Sequence, residues 1–165
     1  MSDTSQGAEQ PASEGLPQAP IMVKAQYTKD LSFENPNAPE SLARLQAVPQ
    51  VSINVSVDTS QLENRDWEVT IEIKAEAKTE AETVFIIELV YGGVFEIGEQ
   101  VPEDSLRALL LIECPRLLFP FAREILSSAT RDGGLPPLLL QPIDFIQLYR
   151  QKFAESEATA PVGHA

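Results

Sequence analysis

The sequence has very few of the residues from which catalytic and metal sites are built. It contains one cysteine, Cys114, and one histidine, His164, in 165 residues. His164 lies next to the C-terminus, where no neighbours fix its tautomer, so a Ser–His or Cys–His nucleophile is not expected. One cysteine and one histidine are also too few to ligate zinc. A P-loop motif is missing as well. We therefore expect no enzyme, no cofactor and no bound metal.

Long hydrophobic runs are missing too. The longest unbroken apolar run covers residues 108–112, whereas a membrane helix needs about 20 residues. The first residues show no basic start followed by an apolar stretch, so we expect no secretion signal. A single cysteine cannot form a disulfide within the chain, which fits a reducing compartment. These features together predict a cytoplasmic protein that does not insert into membranes.

Positive charge is scarce. The chain has 12 Lys and Arg against 25 Asp and Glu, which gives a net charge of -13. Such a protein repels nucleic acid and anionic lipid, because their phosphates carry the same sign. A charged partner is therefore expected to be basic. The alternative is that the acidic charge serves solubility alone.

Apolar and polar residues alternate with a period of two in four segments, which predicts four β-strands. The segments are residues 21–34, 51–58, 67–78 and 84–97. Their odd-numbered positions are mainly apolar and their even-numbered positions mainly polar, so each strand should bury its odd face. Short links, such as residues 79–82, favour an antiparallel sheet.

The fourth predicted strand differs because it has apolar residues on both faces. Ile86 and Val90 lie on the even side, with Glu88 between them. This pattern usually marks a central or covered strand. The alternative is an exposed apolar spot among acids, which would suit a docking site.

The C-terminal part is predicted to be helical. The sequence Pro102-Glu103-Asp104-Ser105 is a helix start with acids in the first turn. Pro115 and Pro120 should break or kink the helix that follows, and Gly133-Gly134 is a suitable C-cap. A last helix is expected over residues 143–154. Residues 1–20 and 155–165 have no periodicity and are predicted to be flexible tails around one domain, 21–154.

These elements predict an α+β fold. A four-stranded antiparallel sheet should carry a long proline-kinked helix and the C-terminal helix on one face. Apolar residues surround the long helix instead of forming a stripe; they are Leu106, Leu109, Leu110, Leu111, Ile112, Leu117, Leu118, Phe119 and Phe121. A helix that is apolar all round must be buried on all sides, so we expect an oligomer with helices at the interface. A compact monomer whose loops cover the excess is the alternative.

Three segments in combination resemble one known family. They are YTKDLSFENPNAP at 27–39, FIIELVYGGVFEI at 85–97, and CPRLLFPFARE at 114–124 followed by GLPPLLLQPIDF. Over about residues 23–154 the chain resembles SecB, the bacterial export chaperone. The resemblance implies a homotetramer, built as a dimer of dimers. It also implies an ATP-independent holdase that binds unfolded secretory precursors, keeps them translocation-competent and delivers them to the motor ATPase SecA.

The resemblance also implies site residues. Contacts with a basic, zinc-binding tail of SecA would be made by Asp30, Glu34, Ile86 and Glu88, so any zinc belongs to the partner. This favours docking over a covered strand at Ile86. Client grooves would lie between the sheet, the crossover segment and the last helix. Apolar residues for these grooves or for the tetramer interface are Ile87, Leu89, Tyr91, Phe119, Phe121, Leu138, Leu139 and Leu140. The alternative for each of these residues is a place in the ordinary core.

Departures from the family pattern leave the exact groove lining open. The crossover segment, residues 40–50, lacks an aromatic residue that some relatives carry, and the only Trp, Trp67, opens the third strand instead. Two rival functions also stay open. An acidic oligomeric adaptor would bind a folded basic partner and ignore unfolded chains. A carboxylate enzyme would need two carboxylates of unequal pKa, and no spacing demonstrates such a pair.

Overall fold

The protein is an α+β structure built on one antiparallel sheet. The computed structural model describes residues 19–44 and 48–158. Within these ranges the sheet has four strands in the order β1-β4-β3-β2. The strands are β1 (Ile21–Glu34), β2 (Gln50–Gln61), β3 (Asp66–Lys78) and β4 (Thr83–Ile97). The predicted four-stranded antiparallel sheet is confirmed, and β2 runs beyond its predicted end at Asp58 to Gln61.

The connection from β1 to β2 crosses from one edge of the sheet to the other. It contains the short helix α1 (Glu40–Ala43). The Asn37 side-chain amide donates a hydrogen bond of 2.9 Å to the Thr83 carbonyl. The buried Ser41 hydroxyl donates to the Asn35 side-chain oxygen at 3.3 Å. These bonds anchor the crossover at the start of β4.

One face of the sheet is buried beneath the helices. The inner-facing residues of the two central strands are fully buried; they include Val69, Ile71, Ile73, Ile87, Leu89 and Phe95. The same face is less covered at the two edge strands, where Leu31 is 44% and Ile53 is 47% exposed. The helices therefore shield the middle of the sheet better than its edges.

The first strand departs from the predicted alternation. Its pairing with β4 shifts register between Val23 and Ala25 and again between Thr28 and Asp30. Each shift is a β-bulge, and each bulge moves the following residues to the opposite face. Tyr27, predicted on the buried odd face, therefore lies on the outer face, where its hydroxyl donates to Glu68. The prediction for Tyr27 was wrong because alternation within one strand cannot show where its partner slips.

The long helix passes through both prolines. Its backbone runs through α2 (Glu103–Ala108), a π-helical turn (Leu109–Glu113) and α3 (Cys114–Asp132). In the π turn the Cys114 N–H bonds the Leu109 carbonyl, one residue further back than in an α-helix. Pro115 follows directly and cannot donate to the ladder, so a wider turn accommodates it. The helix does not break; the expected kink stays a prediction.

The end of α3 fixes the proline-rich segment that follows. Gly134 has φ 81°, in the left-handed region that glycine favours, and the Leu135 N–H bonds the Thr130 carbonyl at 3.1 Å. The Gly134 N–H bonds the Arg131 carbonyl at 3.0 Å. The buried Thr130 hydroxyl also accepts the Leu138 N–H at 2.9 Å. The predicted C-cap is confirmed, and it holds residues 135–138 against the helix.

The last helix, α4 (Phe145–Ala158), begins two residues after the predicted start. Asp144 caps it, because its carboxylate accepts the N–H groups of Ile146 and Gln147, both at 3.0 Å. Phe145 is buried against Phe119, whereas Ile146 is 39% exposed. The helix extends to Ala158, into the tail that was predicted at 155–165. Apart from residues 19–20, the rest of both predicted tails lies outside the described residues.

Candidate functional site

An open apolar groove lies where the crossover, the start of β4 and the proline-rich segment meet. Its volume is about 430 Å³. Its lining is almost entirely apolar and consists of Val48, Pro49, Val51, Val84, Phe85, Leu135, Pro136, Pro137, Leu138 and Leu139. We call this the proline-loop groove. Phe85 and Leu135 are buried, whereas Val48 is 95% and Leu139 is 60% exposed. Large apolar side chains are therefore reachable from solvent.

Local structure explains why the groove stays open. Pro136 and Pro137 lack backbone donors and cannot join a strand or extend α3. The segment is instead tied to Thr130 through the Leu138 N–H. On the other side, Val51 pairs with Ala77 at the start of β2 and is 40% exposed, because the helices do not reach this edge. The groove is a gap between two fixed walls.

Among the residues predicted for the client groove, only Leu138 and Leu139 line the proline-loop groove. Ile87 and Leu89 are 0% exposed, Leu140 is 3% and Phe119 is 8% exposed. In the isolated subunit these four are core residues. A role for them in client binding or assembly stays a prediction.

The other two predicted residues form an aromatic pair between β4 and α3: Tyr91 on β4 is buried, at 7% exposed, whereas Phe121 lies at the surface of α3. The rings of Tyr91 and Phe121 stack with their centroids 6.3 Å apart. Phe121 is 51% exposed, and Leu117, one helical turn before it, is 44% exposed. We call the two exposed residues, Leu117 and Phe121, the helix patch; a role for Tyr91 in assembly stays a prediction. Its exposure matches the apolar excess from which an oligomer was predicted.

Sequence reasoning missed Val48, Val51, Val84 and Phe85 as groove residues. Val84 offered a signal, since it is an apolar residue on the even side at the very start of the fourth strand. Val48 and Val51 gave none, because their meeting with the proline-rich segment depends on how the crossover returns to the sheet.

The residues predicted for partner docking lie together on the outer face of the sheet, opposite the helices. Glu34 pairs with Ile86 and Ser32 with Glu88 across the β1–β4 register, and Asp30 pairs with Val90. Asp30 and Glu34 are exposed, and Ile86 is partly exposed. We call Asp30, Glu34, Ile86 and Glu88 the acidic docking face. The structure brings these four residues onto one continuous surface.

Lysines neutralise much of the remaining outer face. Lys24 bridges Asp66 and Glu96, both at 2.9 Å. Lys78 contacts Glu76 at 2.8 Å. In contrast, Asp30 and Glu34 form no ion pair within residues 19–44 and 48–158. The docking face therefore keeps free carboxylates where the rest of the sheet does not.

A second cluster on this face combines a phenol, a carboxylate and an ammonium. Lys29 contacts Glu68 at 2.8 Å, and Tyr27 donates to the same carboxylate. The Lys29 hydrogen bond, together with the Tyr27 bond, lowers the pKa of Glu68 below its usual value. Burial, followed by the bond to Glu68, raises the pKa of Tyr27 to about 12. The cluster ties β1 to β3 across β4.

The single thiol of the chain, on Cys114, is buried. Burial raises the pKa of the Cys114 thiol to about 12, so the thiolate that a nucleophile needs is not formed near neutral pH. No group of three or more metal-ligating side chains occurs in the described part of the chain. None of the described helices has both the length and the apolar content to traverse a bilayer. The prominent features are an apolar groove and an acidic face.

Comparison with solved structures agrees with this fold. The chain matches a SecB-like chaperone of Mycobacterium tuberculosis, solved in complex with an antitoxin peptide, with a TM-score of 0.59. The match covers 75% of this chain and 91% of the other, at 17% identity. At that identity the likeness establishes the fold alone.

Comparison at the level of sequence is more specific. The family model described as preprotein translocase subunit SecB matches residues 15–156. The protein-export protein SecB of Bradyrhizobium diazoefficiens is 50% identical over 145 residues, which are 88% of this chain and 89% of that protein. The protein-export protein SecB of Rhodospirillum centenum is 49% identical over 146 residues, which are 88% of this chain and 87% of that protein. The chain therefore belongs to the SecB family of protein-export chaperones.

Proposed function

We propose that the protein is an ATP-independent holdase that binds unfolded secretory precursors and keeps them competent for translocation. The observation that carries this proposal is the proline-loop groove, which leaves Val48 and Leu139 largely exposed around a cavity of about 430 Å³. A folded protein hides its apolar segments, whereas an unfolded chain can lay apolar side chains into such a groove. Membership of the SecB family supports the same function.

We further propose that the working form is a tetramer, a dimer of dimers. The helix patch would be buried where subunits meet, since an exposed aromatic and aliphatic surface on a central helix is typical of an interface. An oligomer would present several proline-loop grooves to one client. Linked weak sites raise the apparent affinity by about 100- to 10,000-fold without any strong single contact. Release would then follow from competition for the client, with no need for nucleotide.

We propose SecA as the partner that receives the client. Its basic, zinc-binding tail, which the family resemblance implies, would contact the acidic docking face. Asp30, Glu34 and Glu88 would attract cationic side chains, and Ile86 would supply an apolar contact that excludes water. Charge of this kind mainly accelerates encounter and selects the partner.

A dilution experiment tests the holdase proposal. A urea-unfolded precursor is diluted with and without the protein, and light scattering and the recovery of folded precursor are followed. We expect the protein to suppress aggregation and to delay folding, in stoichiometric amounts and without ATP. Aggregation and folding that proceed as they do without the protein would refute the proposal.

The docking proposal is tested separately with Glu88→Lys. We expect weaker binding to purified SecA, measured by calorimetry, with an unchanged mass in solution. Glu63→Lys, in the exposed turn between β2 and β3, makes the same charge change away from the face and serves as the control. Equal affinities for the two variants would remove Glu88 from the contact.

A further inference from the structure

One lysine lies within the acidic docking face, although that face is proposed to receive a cationic partner. Lys74 on β3 pairs in register with Glu88 on β4, and both side chains lie on the outer face. The Lys74 ammonium is 3.7 Å from a Glu88 carboxylate oxygen and 3.2 Å from a Glu72 oxygen. Lys74 therefore stands where a cation from a partner would approach Glu88.

We propose that Lys74 is a built-in competitor at the docking face, which an incoming cationic side chain must displace from Glu88. This inference rests on the proposed docking of a basic partner. It adds a residue that sets the affinity and selectivity of the face.

The geometry makes the exchange easy. The side chains of Lys74 and Glu88 are 51% and 46% exposed, so neither carboxylate nor ammonium must be desolvated to separate them. Exposed ion pairs contribute little free energy. Lys74 also keeps Glu72 as a second carboxylate after it leaves Glu88, and the Glu72 hydrogen bond is the main reason why its pKa is raised. The competitor can move aside and still remain paired.

The same arrangement selects the kind of partner. A single lysine of a partner gains little at Glu88, because it replaces one ammonium by another. An arginine gains more, since its planar guanidinium binds a carboxylate through two parallel hydrogen bonds. Asp30 and Glu34 form no ion pair with the described residues, so they can bind further cations at the same time. We therefore expect the face to prefer an arginine-containing segment with several positive charges over an isolated lysine.

Lys24 provides a matched control on the same face. It also bridges two carboxylates, Asp66 and Glu96, with both contacts at 2.9 Å. Glu96 lies about 26 Å along β4 from Glu88, at about 3.3 Å per residue. This separation exceeds the Debye length of about 8 Å at physiological ionic strength. Removing Lys24 changes the total charge as much as removing Lys74 but leaves the docking face as it was.

The experiment compares Lys74→Met and Lys24→Met for binding to purified SecA, by calorimetry over a range of salt concentrations. We expect Lys74→Met to bind roughly two- to fivefold more tightly, as removal of one exposed competing pair allows, and with a steeper salt dependence. Lys24→Met should match the unmodified protein at physiological salt. Equal tightening in both variants would assign the effect to total charge and overturn the proposal, as would unchanged or weaker binding of Lys74→Met.

A double-variant cycle separates competition from a structural role of Lys74. The gain from Lys74→Met should vanish when Glu88→Gln is also present, because the released carboxylate is then missing. A gain that persists without the Glu88 charge refutes the competitor. Failure of the docking face itself gives a different result, since Glu88→Lys would then leave SecA binding unaltered. If Glu88→Lys weakens binding and Lys74→Met does not strengthen it, only the competitor is refuted.

Discussion

Replacing Leu139 with serine tests whether the proline-loop groove holds unfolded chains. Leu139 forms part of the groove wall and points substantially into solvent, with 60% of its surface exposed. Serine removes most of the apolar side chain and adds a hydroxyl that a client would have to desolvate. Because most of the side chain is already exposed, the change should affect binding more than folding.

The size of the effect follows from the area that a client would cover. Full burial of a leucine side chain is worth about 1.5–3 kcal/mol. A client that covers the exposed 60% of Leu139 would gain about 1–2 kcal/mol, because the gain scales with the apolar area removed from water. This corresponds to about 5- to 30-fold in the dissociation constant, since about 1.4 kcal/mol is tenfold.

The assay is fluorescence anisotropy with a short, labelled apolar peptide, which engages one groove and so avoids the amplification of multiple sites. Leu62→Ser is the matched control, since Leu62 is 43% exposed and lies beyond the end of β2, at the turn to β3. We expect weaker binding for Leu139→Ser and unchanged binding for Leu62→Ser. Equal affinities in all three proteins would refute the assignment of the groove as a client site.

Three further predictions concern the described fold. Glu68 has a lowered pKa in the folded protein, so its charged form contributes stability at pH values above the pKa that Glu68 has in the unfolded chain. Glu68→Gln should therefore lower the urea midpoint at pH 7. The difference between the two proteins should shrink as the pH falls through the acidic range. Gly93→Ala would place a Cβ 2.8 Å from Leu118 and should cost about 1–3 kcal/mol in urea unfolding; unchanged stability would contradict that contact. Cys114 should react with a thiol reagent only after unfolding, and rapid labelling of the native protein would contradict its burial.

Alternation along the chain was sufficient to predict the sheet, because burial of one face imposes a period of two. In β3 every odd position from Val69 to Ala77 is buried, as predicted. The same rule failed in β1, where two register shifts turn Tyr27 outward. A bulge is a property of two paired strands, and the sequence of one strand does not contain it. The strand pattern therefore predicts where strands lie better than which side chains they bury.

Helix boundaries were predictable where side chains act locally. The acids after Pro102 and the glycines after Asp132 mark the two ends of the long helical segment. The π turn was not predicted, since proline rules alone indicate an interruption and not how the backbone accommodates it. The capping role of Asp144 was not predicted either, although an aspartate before an apolar helix is a recognisable N-cap signal.

The two candidate sites, the acidic docking face and the proline-loop groove, differ in how far the sequence predicts them. The four residues of the acidic docking face lie on one surface, because the second bulge of β1 reverses the effect of the first and returns Asp30 and Glu34 to the outer face. The groove requires three distant segments to meet, and within its lining only Leu138 and Leu139 were predicted. Ile87 and Leu89 were predicted for the client groove or the tetramer interface, and they are buried in the core of the subunit. Strand pairing therefore determines the position of the outer-face residues, whereas the lining of the groove depends on tertiary closure; the roles of both sites stay predictions.

The single sheet also constrains how the two proposed activities relate. Phe85 and Ile86 are consecutive on β4, so they point to opposite faces, one into the groove floor and one into the docking face. This central strand is hydrogen-bonded on both sides, to β1 and β3, which leaves little freedom for either residue to move. Docking of a basic partner on the outer face is therefore not expected to open the groove. Transfer of a client would instead occur when a bound partner brings a second client-binding site close to the groove and the two sites compete for the client. This agrees with the proposed release without nucleotide.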